Sequence, residues 1–179
     1  PAEAQVRQRS FSLNEAAPGN EYLSVAIKNG LQGNSPYTIE AWVYPTSYDN
    51  FPTIVGNDFS VSYWLGLNTT GKVRFYPRDM LSGFVETTQT VPLNKWTHVA
   101  AVYNSAAGYA IYLDGVVVLS GSSIIGPVGT SLGDLRIGAD RDAGVPQYFW
   151  RGYLDDVRVW SVARTGPQIR DLMLVGVGN

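Results

Sequence analysis

The chain has 179 residues, 45% hydrophobic and 16% charged, enough to bury one substantial core and too short to need two, so a single domain over 1–179 is expected, with its core over about 11–172. Its 13 basic and 15 acidic residues leave a formal charge of -2, which argues against nucleic acid as a partner because no overall positive field is present to hold a polyphosphate backbone. No apolar run approaches the roughly 20 residues that cross a bilayer, which argues against membrane insertion, and the absence of cysteine excludes disulfides, thiolate metal sites and cysteine nucleophiles.

The 11 Tyr, 6 Phe and 5 Trp residues, combined with 19 Gly and 10 Pro, point to short strands joined by tight turns. The strongest strand is Tyr37-Thr-Ile-Glu-Ala-Trp-Val-Tyr44. Tyr37, Ile39, Ala41 and Val43 fall on one face, and Thr38, Glu40, Trp42 and Tyr44 on the other. Pro45 ends it, since proline cannot donate to a ladder. Further strands are expected at 53–55, 60–67, 72–76, 84–88, 96–103, 109–113, 116–119, 135–137 and 153–160, spaced as in a sandwich or jelly roll. Asn68-Thr-Thr-Gly71 and Asp114-Gly115 read as hairpin turns, which makes their flanking pairs antiparallel. Asn68-Thr-Thr70 also matches a glycosylation acceptor pattern, but that pattern is common by chance and is read as a turn. Thr165-Gly-Pro-Gln168 offers a threonine cap, an early proline and a glutamine three residues after the cap, and opens one short C-terminal helix through about 174. The fold class is therefore all-β, a two-sheet antiparallel sandwich with one short helix.

Four segments, in order, resemble the laminin G-like domains of the concanavalin A-like lectin superfamily. They are Tyr37-Thr-Ile-Glu-Ala-Trp-Val-Tyr-Pro45, Trp96-Thr-His-Val-Ala-Ala-Val-Tyr103, Ile111-Tyr-Leu-Asp-Gly115 and Gly152-Tyr-Leu-Asp-Asp-Val-Arg-Val-Trp160, with Leu135-Arg-Ile-Gly138 ahead of the last. The resemblance implies a jelly-roll sandwich, often with structural calcium, attached to larger secreted or cell-surface proteins. It implies a binding or adhesion module for a carbohydrate or for a glycosylated or protein surface. A structural spacer with no small ligand is the alternative. The early turn, Ala17-Pro-Gly-Asn-Glu-Tyr22, stands where the family often has an Asp-rich turn.

Simple alternation puts Asp155 on one strand face with Val157 and Val159, and Asp156 on the other with Leu154, Arg158 and Trp160. If the valines face the core, Asp155 goes inward and needs hydrogen-bond donors, a cationic side chain or a metal. Calcium suits a carboxylate supplemented by backbone and amide oxygens. The turn at Asn20 and Glu21 can supply them, as the resemblance also implies. Asp134, Asp140 and Asp142 suit a second, exposed ion or sugar site, though solvated turn residues are the simpler reading. Asp49 carries the same ambiguity. His98, the single histidine, has no second imidazole to pair with and is read as structural.

A glycosidase needs two carboxylates flanking the scissile bond. The alternating neighbours of Glu40 are Thr38 and Trp42, and Asp155 and Asp156 point to opposite faces, so a non-catalytic domain is expected. The informative surplus is aromatic: Tyr48, Phe51, Tyr63, Trp64, Tyr76, Tyr148, Phe149 and Trp150 lie in or beside expected loops and strand ends. Sugar rings stack on aromatic faces while nearby polar groups read their hydroxyls. Tyr48, Asp49, Tyr148, Asp140 and Asp142 are the ligand candidates, because loops carry function on rigid sandwiches. Trp150 is expected in the core.

Overall fold

A computed structural model describes residues 11–13, 20–26, 35–78, 83–122, 133–142 and 144–176. Residues 17–19 of the early turn and the glycine-rich end at 177–179 lie outside them. Strand β3 (Tyr37–Pro45) sits near the middle of one sheet and keeps the alternation its sequence dictates. Tyr37, Ile39, Ala41 and Val43 are fully buried in the main core. β3 pairs antiparallel with β8 (Thr97–Asn104) on one side and β14 (Gly152–Trp160) on the other. β1 (Phe11–Leu13), β9 (Gly108–Leu113) and β10 (Val116–Gly121) complete the six-stranded order β1-β14-β3-β8-β9-β10.

The facing sheet contains β2 (Leu23–Val25), β4 (Thr53–Gly56), β5 (Trp64–Leu67), β6 (Lys72–Tyr76), β7 (Val85–Thr90) and β11 (Leu135–Ile137), in the order β2-β11-β4-β5-β6-β7. A ribbon of β12 (Asp140–Asp142) and β13 (Val145–Gln147) stands beside it. Leu65, Leu67, Val73 and Phe75 meet the inner residues of β3 in one core. Tyr37 packs there against Tyr63, Phe75 and Tyr103, and its hydroxyl donates to the Pro77 carbonyl at 2.6 Å. Burying the phenol with its donor satisfied avoids the penalty of an orphaned polar group.

On the outer face of the sheet that holds β3, helix α1 (Gly166–Leu172) packs on β8 and β9. Thr165 caps it as its sequence predicts: its side chain accepts from the Gln168 N–H, and the Gln168 side chain accepts from the Thr165 N–H at 2.9 Å. Ile169 seals the helix against Ala100 and Val102. The final carbonyls of a helix lack intrahelical partners. Here Trp42 Nε1 donates to the Met173 carbonyl at 2.7 Å and Arg158 Nη1 to the Leu172 carbonyl at 2.8 Å. Glu40, fully buried on the same face, accepts from Trp160 Nε1 at 3.0 Å and lies 3.5 Å from Arg158 Nη1 and 3.9 Å from His98 Nε2. His98 is itself buried and pairs across the sheet with Trp42.

Two sequence expectations are corrected by backbone detail. The strand expected from 60 begins only at Trp64, because the Val61 and Ser62 N–H groups donate to the Asp58 carbonyl and close a turn. On β14, Leu154 pairs with Val43 and Asp155 with Trp42, but the next pair is Arg158 with Glu40. The two residues between form a bulge, with Asp156 at φ 47°. A bulge resets the period of two. Asp155 therefore shares the outer face with Trp42, while Val157 and Val159 pack on the core.

Gly152 opens β14 at φ 122°, where an added Cβ would stand 2.0 Å from the Tyr44 carbonyl oxygen. Gly152→Ala is expected to cost at least about 2 kcal/mol from backbone strain alone, read as a lower urea midpoint. An unchanged midpoint would show that the start of the strand can move aside.

Candidate functional site

The core-facing period of two leaves Trp64 and Gly66 on the outer side of β5, and Lys72, Arg74 and Tyr76 on the outer side of β6. Register sets Trp64 opposite Tyr76, and Gly66 opposite Arg74. Gly66 makes room for the indole: a Cβ there would come within 2.5 Å of the Trp64 ring. Trp64 Nε1 donates to Thr53 Oγ1 at 2.8 Å, so the ring lies pinned and nearly fully buried as the floor of a cavity of about 190 Å³. Phe51, Phe59, Arg74, Tyr76 and Tyr148 complete the lining.

These walls brace one another. Phe59 stands edge-on to Tyr148 with ring centres 5.4 Å apart, and 6.1 Å from Tyr76. The Arg74 guanidinium lies 4.0 Å from the ring centre of half-exposed Phe84 and 5.0 Å from that of Phe51, both within cation–π range. It is ion-paired to Glu86 across β6 and β7, with Nε and Nη2 each 2.9 Å from Oε2. Phe51 and Tyr148 have φ of 55° and 57°, and Asn50 and Asp58 beside them are also left-handed. That conformation is uncommon for bulky residues, costs of order 1–3 kcal/mol each, and clusters at functional sites.

Asp140 anchors this edge. It is fully buried, and its carboxylate accepts from the Asp58 N–H at 2.8 Å and the Phe59 N–H at 2.9 Å. The expectation of a solvated turn residue, or of an exposed site at Asp140, is thus replaced by a buried clamp on the loop that carries Phe59. Gly56 admits the carboxylate, since a Cβ there would stand 2.5 Å from Oδ1. Burial pushes its pKa up to about 6, against the lowering influence of the Phe59, Asp58 and Arg141 N–H groups and with a smaller raising contribution from the Asp58 charge. Arg136 reaches the Asp140 backbone carbonyl rather than its carboxylate, at 3.1 Å.

The other residues named from the sequence divide. Tyr148 lines the cavity. Burial first, then the charges of Asp142 and Asp140, raise its hydroxyl pKa. Asp142 thus lies beside the cavity wall. Tyr48 stands elsewhere: its hydroxyl donates to the Val91 carbonyl and its ring packs on the core beneath Gly71. Asp49 is exposed and accepts from the Ser47 hydroxyl.

Asp155 accepts from the Asp156 N–H at 2.7 Å on the outer face of the first sheet, while Asn20 and Glu21 are exposed residues leading into β2 of the second. Asp155 is nonetheless buried, at 8% exposure, so its carboxylate has the burial the expected ion site needs, on the outer face rather than beside Val157 and Val159. Trp150 lies in the main core. Phe59, Arg74, Phe84 and Glu86 were not singled out from sequence, although the alternation of Val73 and Phe75 with Arg74 and Tyr76 contained the signal for Arg74.

The family model for the concanavalin A-like lectin/glucanases superfamily matches residues 18–170. No curated protein matches the chain. Among solved structures, one from Bacteroides ovatus described as a "putative carbohydrate binding protein" is 26% identical with a TM-score of 0.72, covering 87% of this chain. This chain spans 45% of that one. Domain 4 of AbnA, an extracellular arabinanase from Geobacillus stearothermophilus solved in complex with arabinotriose, is 20% identical with a TM-score of 0.59. It covers 80% of this chain and 68% of its own. A heptameric pentraxin from Limulus polyphemus is 19% identical with a TM-score of 0.59, at 88% and 83% coverage. The last two show a shared fold alone.

The raised pKa of Asp140 fixes the sign of a pH effect. Its folded value, about 6, exceeds its ordinary 3.8, so the folded state holds the proton more tightly. The stability this contributes is fully present below about pH 3.8 and is lost as pH rises through about 6. Relative to Asp140→Asn, the unmodified protein should lose up to about 3 kcal/mol of unfolding free energy between pH 4 and pH 7. Parallel urea curves across that range check it; a constant difference would assign the carboxylate an ordinary pKa.

Proposed function

We propose, for a chain that belongs to the concanavalin A-like lectin/glucanase superfamily, that it is a non-catalytic carbohydrate-binding module whose ligand sits in the aromatic cavity on the outer face of β4–β6. One observation carries this: five aromatic rings and one arginine converge on a cavity whose walls include two aromatics in left-handed backbone conformation. Aromatic faces suit the C–H face of a sugar ring, and tyrosine hydroxyls with an arginine fork suit its hydroxyls. The likeness to the Bacteroides ovatus protein supports the same reading.

Hydrolysis is not part of it. None of the described lining residues is a carboxylate, and Glu86 beside them is held by Arg74, whereas a glycosidase needs a free acid and base on either side of the bond. The chain spans less than half of the Bacteroides ovatus protein, and none of its described helices is long and apolar enough to cross a membrane. In this reading it is one module of a larger secreted or surface chain, attaching that chain to glycans.

Binding to a glycan array that includes arabinotriose, followed by calorimetry on the hits, tests the proposal. Tyr76→Ala should weaken binding about tenfold, the value of one ring-stacking contact, with an unchanged circular dichroism spectrum. A folded protein that binds no glycan would leave a spacer or protein-interaction domain as the reading.

The calcium expected at Asp155 belongs to β14 of the first sheet, apart from the cavity on β4–β6 of the second. Affinity measured in EGTA and in millimolar calcium should agree within twofold. A loss in EGTA restored by calcium would return the ion to the site.

A further inference from the structure

The cavity holds its charge in an unusual way. Of its described lining residues Arg74 alone is cationic, and that guanidinium is both paired to Glu86 through two nitrogens at 2.9 Å and within 5.0 Å of the ring centres of Phe51 and Phe84. Elsewhere in the lining, the Tyr148 hydroxyl lies near the carboxylates of Asp142 and Asp140. Arg136, on the same sheet face, is largely buried against the Tyr22 ring, with its guanidinium on the Asp140 backbone carbonyl. Lys72 lies two residues from Arg74 along β6, about 7 Å away at strand spacing.

From this arrangement we infer that the site selects uncharged sugars and rejects acidic ones, with Glu86 as the specificity-determining residue; this rests on the carbohydrate-binding reading above. A uronate or sialic acid carboxylate is held best by a free, planar guanidinium that offers both its donors to both carboxylate oxygens. Here Glu86 already occupies that fork. An incoming carboxylate has to displace Glu86 or stand beside it, and it meets acidic groups at the Tyr148 wall too. A hydroxyl carries no such penalty. It can accept from the remaining guanidinium N–H groups and donate to a Glu86 oxygen without breaking the pair.

Size narrows the class further. At about 190 Å³ the cavity is smaller than the roughly 300–1,000 Å³ of pockets that enclose drug-sized ligands. It seats roughly one ring of a neutral hexose or pentose chain, and the rest of the glycan runs outside over the sheet.

The test compares neutral and acidic probes on the purified chain: an array carrying both kinds of glycan, then calorimetry with matched pairs such as galactotriose against trigalacturonate and lactose against 3′-sialyllactose. Neutral probes should bind at least tenfold more tightly, and their affinity should change less than twofold between 50 and 500 mM NaCl, since no charge pairing is there to be screened. Glu86→Gln leaves Arg74 uncompensated, and should bring acidic probes to within about threefold of their neutral partners while adding a salt dependence. The salt series on the unmodified protein stands independently of how that variant folds. Acidic probes binding as well as neutral ones, or a folded Glu86→Gln with unchanged selectivity, would overturn the inference and leave carbohydrate binding intact. A protein binding no probe of either kind would overturn the carbohydrate reading itself.

Discussion

The alternation along β3 is the constraint from which both faces of the molecule follow. Every second residue from Tyr37 to Val43 enters the core between the sheets, while Thr38, Glu40 and Trp42 are committed to the opposite side. A slip of one residue would exchange the two sets, placing a glutamate in an apolar core and leaving the carbonyls at the end of α1 without Trp42 as a donor. Pairing with both β8 and β14 fixes the strand from two directions. Only this register brings the buried Glu40 its partners, because Trp160 and Arg158 reach it from β14 and His98 approaches it from β8. Breaking such a network leaves a buried charge uncompensated, so it disfavours alternative pairings even where its net contribution to stability is small.

The second sheet supplies the site. Its inner residues share the core with β3, and among the described residues no helix covers its outer residues Trp64, Arg74 and Tyr76. Loops make this face a cavity. Phe51, Phe59 and Tyr148 come from three separate connections, and their positions depend on strained backbone and on the Asp140 clamp. Ordering in advance lowers the entropic cost that a ligand otherwise meets on binding. It also explains the burial of a carboxylate whose pKa is raised to about 6. The two N–H bonds it receives hold a wall of the cavity, at some cost to stability near neutral pH.

Charge in the cavity is balanced rather than absent. Arg74 retains its planar fork and its contacts with two aromatic rings, while Glu86 cancels its field. That combination favours hydrogen bonding to hydroxyls over attraction to anions.

Much of the fold was legible in the sequence because strand faces, hairpin turns and a helix cap are local. β6 and β11 fall on their expected residues, Asp114-Gly115 closes its hairpin with both residues at positive φ, and Thr165 caps the helix with Gln168. The failures are equally local in cause: the bulge at Asp156 and Val157 reversed the face of Asp155, and the Asp58 turn delayed the strand before Trp64. The site was legible as ingredients, not as a place. Phe51, Trp64, Tyr76 and Tyr148 stood out as an aromatic surplus, yet nothing in their order separates them from Tyr48, whose ring went beneath Gly71. By itself the sequence determined which residues alternate and where the chain turns. Only the tertiary structure decided which aromatics meet, that Asp140 is buried and that Glu86 neutralises Arg74, because those contacts join segments that come together only when the sheets are assembled.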